Sequence, residues 1–134
     1  MSGCLDAVEG RLIAVLEDTA RGPRQNATFA VWLVVRLCDG VLPPDPLSPR
    51  AGRRRAAGVE RRVGSLTLPA PMRRGIAAAL RELGAGTPAA TVVALQQLVA
   101  PAREALGNEV ADALAEAARA ARDAGRGTVA GGSG

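Results

Sequence analysis

The residues best suited to chemistry in this chain are arginines, clustered between Ser48 and Leu66 in the stretch SPRAGRRRAAGVERRVGSL. Six arginines and one acid, Glu60, occupy this stretch. A guanidinium group pairs with a phosphate or a carboxylate through two parallel hydrogen bonds, and several phosphate contacts give affinity that depends on salt. The cluster therefore predicts a surface for a polyanion or for an acidic protein.

Helical spacing sorts these arginines around a thin apolar face. Residues at intervals of three and four form that face on a helix: Gly52, Ala56, Val59, Val63 and Leu66. The arginines take the other sides, with Arg50, Arg54 and Arg61 opposite the face, Arg53 beside Glu60 on one flank, and Arg55 and Arg62 on the other. Such a helix docks its small face and presents a ridge of guanidinium groups outward.

Charge is distributed unevenly along the chain. The net charge is +4, from seventeen arginines and thirteen acids. Between Arg50 and Arg74 there are eight arginines against Glu60 alone, which gives +7, so nine arginines and twelve acids elsewhere leave −3. Lysine is absent, as a GC-rich coding sequence also produces, but that bias does not explain the clustering. The asymmetry predicts an anionic partner for one region.

The expected partner is a nucleic-acid backbone, contacted without sequence specificity. Phe29 and Trp32 are the only aromatic residues and lie in the most apolar segment, so a platform for stacking bases is not expected. Eight residues form the predicted polyanion-binding set, the last two if their helix folds back beside the cluster: Arg50, Arg53, Arg54, Arg55, Arg61, Arg62, Arg73 and Arg74. The protein would then be a small subunit of a nucleoprotein complex.

Two alternatives remain open for the same arginines. The first is a protein–protein adaptor or scaffold, in which the arginine-rich helix meets an acidic protein partner. The second is a solvated helix face with no specific role. The sequence does not choose between them.

Catalysis is not expected. The chain has no His, Lys or Tyr and no glycine-rich phosphate loop or nucleophile motif. Glu109, Asp112 and Glu116 follow one another at i, i+3 and i+7, but a di-metal helical bundle normally adds ExxH pairs. We therefore expect no enzyme activity, no metal and no cofactor, and interpret the acidic stripe as a solvated face or a counterpart to arginines.

Composition predicts an all-α fold. Ala, Leu, Arg and Glu are strong helix formers, whereas strand formers other than Val are scarce. We expect a compact bundle of five to six helices with a Pro-rich connection over 42–49. Residues 1–124 would form a single helical domain, with the last helix ending near Asp123 and 125–134 forming a flexible Gly-rich tail. Ser48 and Thr87, each followed by proline, are expected to cap helices.

One predicted helix is apolar almost all round. It should begin near Asn26 or Thr28 and end near Asp39, and such a helix is either central in a bundle or buried against a second subunit. We therefore expect a homo-oligomer or a subunit of a larger complex, with an interface at Phe29, Trp32 and Val35. The N-terminus lacks secretory features and no apolar run reaches membrane-spanning length, so a cytoplasmic location without membrane contact is expected.

Overall fold

A computed structural model of the 134-residue chain describes residues 5–18, 22–42 and 47–133, with side chains described up to residue 124. These ranges contain six helices and no strand, so the predicted all-α fold is confirmed. The helices are α1 (Asp6–Asp18), α2 (Pro23–Val41), α3 (Pro49–Gly64), α4 (Ala70–Leu83), α5 (Pro88–Leu106) and α6 (Asn108–Ser133). Part of the predicted Pro-rich connection, residues 43–46, lies outside the described residues.

Two helices begin as their capping residues predict. The Ser48 hydroxyl accepts a hydrogen bond from the Ala51 backbone N–H at 3.1 Å, and the Thr87 hydroxyl accepts one from the Ala90 N–H at 3.2 Å. A proline follows each cap at the first helical position, where its missing N–H leaves no bond unmade. Local capping thus sets the start of α3 and of α5.

Helix α2 begins earlier than predicted. It starts at Pro23, and neither Asn26 nor Thr28 acts as its cap. The Asn26 amide donates to the Thr67 carbonyl at 3.1 Å, and the Thr28 hydroxyl donates to the Arg24 carbonyl one turn back at 2.8 Å. Gly22 and Pro23 stand at the start of this helix, because proline is well suited to the first turn.

Helix α2 is the centre of the bundle. It contacts α1, α3, α4 and α5, and residues on nearly all its sides are completely buried, among them Val31, Val34 and Cys38. Its all-round apolar surface is therefore covered within the chain. Of the two environments that the sequence allowed for this helix, the structure shows the central one.

A close approach between α4 and α5 depends on a glycine. Pro101 lies inside α5 without ending it, and its ring faces Gly75 of α4. A Cβ on Gly75 would lie 2.5 Å from Pro101 Cγ and 3.4 Å from the Gln97 carbonyl oxygen, so no side chain fits there. The missing side chain at Gly75 is what lets α4 pack directly on the proline ring.

Helix α6 packs most extensively on α5 and is longer than predicted. Small side chains such as Ala111, Ala118 and Ala121 are buried along it and allow a close approach. The helix continues to Ser133, past the predicted end at Asp123, through the Gly-rich segment expected to form a tail. Propagating an existing helix costs far less than nucleating one. Neither α6 nor any other helix in the described ranges combines the length and apolarity needed to cross a membrane.

Substituting two glycines with alanine tests the α4–α5 contact. We expect Gly75→Ala to lower the free energy of unfolding by about 1–3 kcal/mol, because the new methyl group overlaps Pro101. Gly58→Ala is the matched control: its Cβ meets nothing within 4 Å, and it should raise the free energy of unfolding by about 0.5–1 kcal/mol. Urea unfolding measures both, and equal stability of Gly75→Ala and the parent would contradict the packing described.

Candidate functional site

Helix α3 docks on the bundle through the thin face that its spacing predicted. Gly52, Ala56 and Val63 are buried, while Val59 and Leu66 are half-buried. Among the helices of the described residues, α3 contacts only α2 and α4, and its first turn also lies against the turn at Gly86. More than half of its circumference is therefore left for solvent or for a partner.

All eight arginines of the predicted set are exposed. They divide between the two helices as Arg50, Arg53, Arg54, Arg55, Arg61 and Arg62 on α3 and Arg73 and Arg74 on α4. None of them forms a salt bridge with a residue that the structure describes, and the ion pairs found there join α1 to α6, α2 to α1, α5 to α6, and two residues of α6. The positive charge of this region is therefore not neutralised by these described neighbours.

An outward row of arginines lies opposite the docked face of α3. Arg50 and Arg54 are exposed on this side, and Arg61 continues the row two turns beyond Arg54, about 10 Å along the helix. We call Arg50, Arg54 and Arg61 the arginine ridge. The ridge has no described acidic partner and faces solvent, so its guanidinium groups are available for a ligand.

A groove runs between α2 and α3 beside the ridge. It has a volume of about 700 Å³, and its apolar lining comes from Leu33, Leu37 and Val59. The remaining lining residues are Arg36, Arg55, Gly58, Arg61, Arg62 and Ser65. The α2–α3 groove, as we call it, therefore combines an apolar floor with four guanidinium groups, and Arg61 belongs to both the ridge and the groove.

A contact between Arg62 of α3 and Phe29 of α2 joins these two helices, and Trp32 and Arg36 of α2 continue the row. The Arg62 guanidinium lies 5.6 Å from the centre of the Phe29 ring, which stacks on Trp32 at 5.9 Å between ring centres. Arg36 covers the far side of this stack, 5.8 Å from the Trp32 ring centre. Each cation–π contact of this kind contributes about 0.5–1 kcal/mol at an exposed site. This row of four side chains links the rim of the groove to the core.

The predicted oligomer interface is largely used inside the chain. Phe29 and Trp32 are half-buried and packed against the core, each beside an arginine. Val35 is completely buried in the core, so it has no surface to offer a partner, and its assignment to an interface is corrected. The sequence pattern located apolar residues correctly but did not show that α1, α3, α4 and α5 cover them.

The structure separates the α4 arginines from the groove. Arg74 borders a second groove, between α4 and α5, with Gln96, Gln97 and Glu104. Arg73 is exposed on α4 but does not border the α2–α3 groove. Neither residue therefore extends the lining of the α2–α3 groove, although both were expected to extend the α3 surface. Arg74 lines the groove between α4 and α5 instead.

Arg36 belongs to the site although the sequence did not single it out. It lies on α2, outside the cluster, and reaches the groove because α3 packs alongside. One signal was available: Phe29, Trp32 and Arg36 are spaced at i, i+3 and i+7, which puts all three on one helix face. Only the packing of α3 against that face makes the spacing informative.

The acidic stripe on α6 is neutralised locally. Glu109 pairs with Arg11 at 3.4 Å, Asp112 with Arg103 at 3.0 Å, and Glu116 with Arg119 at 3.8 Å. In the described ranges no group of three or more His, Cys, Asp or Glu is placed to hold a metal ion. The stripe therefore acts as a counterpart to arginines of its own surroundings.

A buried carboxylate lies next to the aromatic row. Glu9 of α1 is 16% exposed and approaches Arg36 at 3.9 Å. Burial raises the pKa of Glu9, the negative charge of Asp39 raises it further, and Arg36 opposes the shift. Glu9 Oε1 and Trp32 Nε1 are both buried, and neither has a hydrogen-bond partner among the described residues. The polar groups beneath this side of the groove are thus incompletely satisfied.

The raised pKa of Glu9 predicts how stability changes with pH. The folded protein favours the protonated carboxyl, so the free energy of unfolding should fall as pH rises from about 4.5 through the higher folded-state pKa. Glu9→Gln should remove that part of the decline, whereas Glu17→Gln, at an exposed position of α1, should keep it. Urea unfolding between pH 4 and pH 8 measures the effect. Identical pH profiles for Glu9→Gln and the parent would contradict it.

No family model matches the chain, no curated protein matches its sequence, and no solved structure matches it. A function for this chain therefore has to be argued from the geometry and charge of the arginine ridge and the α2–α3 groove themselves.

Proposed function

We propose that this protein is a non-enzymatic helical subunit that binds the phosphate backbone of nucleic acid through the arginine ridge. One observation carries the proposal: the six arginines of α3 are exposed and have no salt-bridge partner among the described residues, whereas Arg11, Arg36, Arg103 and Arg119 pair with acids. Guanidinium groups without internal partners gain most from external phosphate. Such binding suits a cytoplasmic nucleoprotein assembly.

The proposed contact is with the backbone and not with the bases. Both aromatic residues are half-buried and engaged by Arg36 or Arg62, so neither offers a free ring for stacking. The ridge also contains no Asn or Gln of the kind that reads base edges. We therefore expect duplexes of unrelated sequence to bind with similar affinity.

Little apolar surface is left on this chain for self-association. The apolar surface of α2 is covered inside the chain, and the large hydrophobic side chains left exposed in the described ranges are Ile13 and Val93. They lie on different helices, α1 and α5. We therefore propose that α3 and its groove contact other components of a complex, in preference to a second copy of this chain.

An acidic protein partner is the second candidate, and one observation favours it. The apolar floor of the α2–α3 groove includes the half-buried Val59 beside the nearly buried Leu33 and Leu37, and a phosphate backbone would leave the exposed part of Val59 uncovered. A protein segment can cover apolar surface and present carboxylates to the rim. The ridge and the groove therefore suit different ligands.

Charge reversal on the ridge tests nucleic-acid binding. We expect Arg50→Glu with Arg54→Glu to weaken binding of a labelled 20-base-pair duplex at least tenfold at 50 mM salt. The matched control, Arg81→Glu with Arg122→Glu, makes the same change in net charge at exposed positions on α4 and α6 and should weaken binding much less. Fluorescence anisotropy measures both variants.

Salt dependence supplies the second readout of the same experiment. For the parent, the logarithm of affinity should fall linearly with the logarithm of salt concentration, with a slope of about −0.9 per phosphate contacted on a duplex. The ridge variant should show a shallower slope. Equal losses in the ridge and control variants would show that net charge alone attracts the duplex, and absence of binding at low salt would reject the proposed function.

A further inference from the structure

We infer that the α2–α3 groove is the docking site for an acidic amphipathic helix of another protein. The apolar face of that helix would cover the groove floor, and its carboxylates would pair with Arg36, Arg55 and Arg62. This inference goes beyond the proposed function, because it assigns a protein ligand to the groove flank of α3 while the ridge engages phosphate.

The composition of the groove favours such a ligand. Four arginines and no acid line it, and its apolar floor consists of Val59, which is half-buried, and of Leu33 and Leu37, which are already nearly buried. A nucleic-acid backbone satisfies the arginines but does not cover the exposed part of Val59, whereas an apolar helix without acids leaves Arg55, Arg61 and Arg62 without a carboxylate, only Arg36 being already paired, with Glu9. An amphipathic helix with acidic flanks satisfies both.

Gly58 keeps the groove open. It lies in the middle of α3, where glycine costs about 1 kcal/mol relative to alanine. A Cβ built on it would meet nothing within 4 Å, so a side chain there would project into open space at the groove lining. The helix thus carries a destabilising residue at the place where a larger one would obstruct the groove.

The spacing of the rim arginines fits a helix lying alongside α3. Arg55 and Arg62 are two turns apart on the same flank, about 10 Å along the axis. Carboxylates at i and i+7 of a neighbouring helix repeat at the same distance. Arg36 contributes a third guanidinium group from the α2 side, so acids on both edges of the docked helix would find a partner.

A second copy of this chain is a poorer occupant than another protein. The acidic stripe of α6 already pairs with Arg11, Arg103 and Arg119. The exposed face of α1 carries acids but a single strongly exposed large apolar side chain, Ile13. Among the described residues, the acids of the α6 stripe are already paired and α1 exposes one large apolar side chain, so neither helix offers a broad apolar face flanked by free acids.

Binding of a designed peptide tests the inference. The probe is a 21-residue capped, fluorescein-labelled helix with leucines at i, i+3, i+4 and i+7 spacing and flanking glutamates, and its scrambled sequence is the reference. We expect wild-type protein to bind the probe at least tenfold more tightly than the scramble. Calorimetry with the same unlabelled peptide should show a negative heat-capacity change, because apolar surface is buried.

Two leucine substitutions on α3 distinguish filling of the groove from the effect of adding a leucine elsewhere on the helix. Gly58→Leu should weaken peptide binding at least tenfold by occupying the groove. Gly64→Leu is the matched control, since its Cβ also meets open space and it does not border the groove, and it should bind within twofold of the parent. If Gly58→Leu fails to fold, Arg55→Glu with Arg62→Glu replaces it: this variant should lose the glutamate peptide and gain binding to the same peptide with lysines for glutamates.

The outcomes for peptide and duplex are independent. Arg50→Glu with Arg54→Glu should weaken duplex binding at least tenfold and leave peptide binding within about threefold, so either function can fail alone. The inference is overturned if the peptide binds no better than its scramble, or if Gly58→Leu leaves peptide binding unchanged. It is also overturned if Gly58→Leu removes duplex binding, or if it converts a dimer of this chain to a monomer in sedimentation.

Discussion

Helix α2 carries apolar side chains around almost its whole circumference, and the need to remove them from water organises the bundle. Burial of apolar area contributes roughly 25 cal/mol per Å², so leaving any side of such a helix open would be costly. Helices α1, α3, α4 and α5 each cover part of it. Their positions around α2 decide which of their own faces turn inward, and so which charged residues turn outward.

Helix α3 covers α2 with mostly small side chains. Its buried residues are Gly52, Ala56 and Val63, so its attachment depends on small side chains and on the contact between Arg62 and Phe29. The rest of the helix carries arginines whose mutual repulsion opposes folding. This helix is weakly apolar and strongly charged, and it carries a glycine, Gly58, in its interior. Such a helix is poorly optimised for stability alone. Departures of this kind concentrate at functional sites, which supports a binding role for the ridge and the groove.

Local signals in the sequence predicted the local structure, and tertiary contacts decided the rest. The spacing of Gly52, Ala56 and Val63 predicted the docked face of α3, and Ser48 and Thr87 predicted two helix starts, because these features depend on neighbouring residues. The pattern in α2 showed a buried helix but not what buries it, so Val35 was placed at an interface instead of the core. The groove was not foreseen, since Arg36 joins Arg55 and Arg62 only when two helices pack together.

The arginine ridge on α3 has no acidic partner among the described residues, whereas Arg11, Arg36, Arg103 and Arg119 are held in ion pairs. Side-chain NMR of protein labelled with ¹⁵N-arginine tests this most directly, by following each Nε–Hε signal as a duplex is added at low salt. We predict that the largest shifts belong to Arg50, Arg54 and Arg61, and that Arg11, Arg103 and Arg119 shift little. Equal shifts at all arginines, or the largest shifts at the ion-paired ones, would contradict phosphate binding through the ridge.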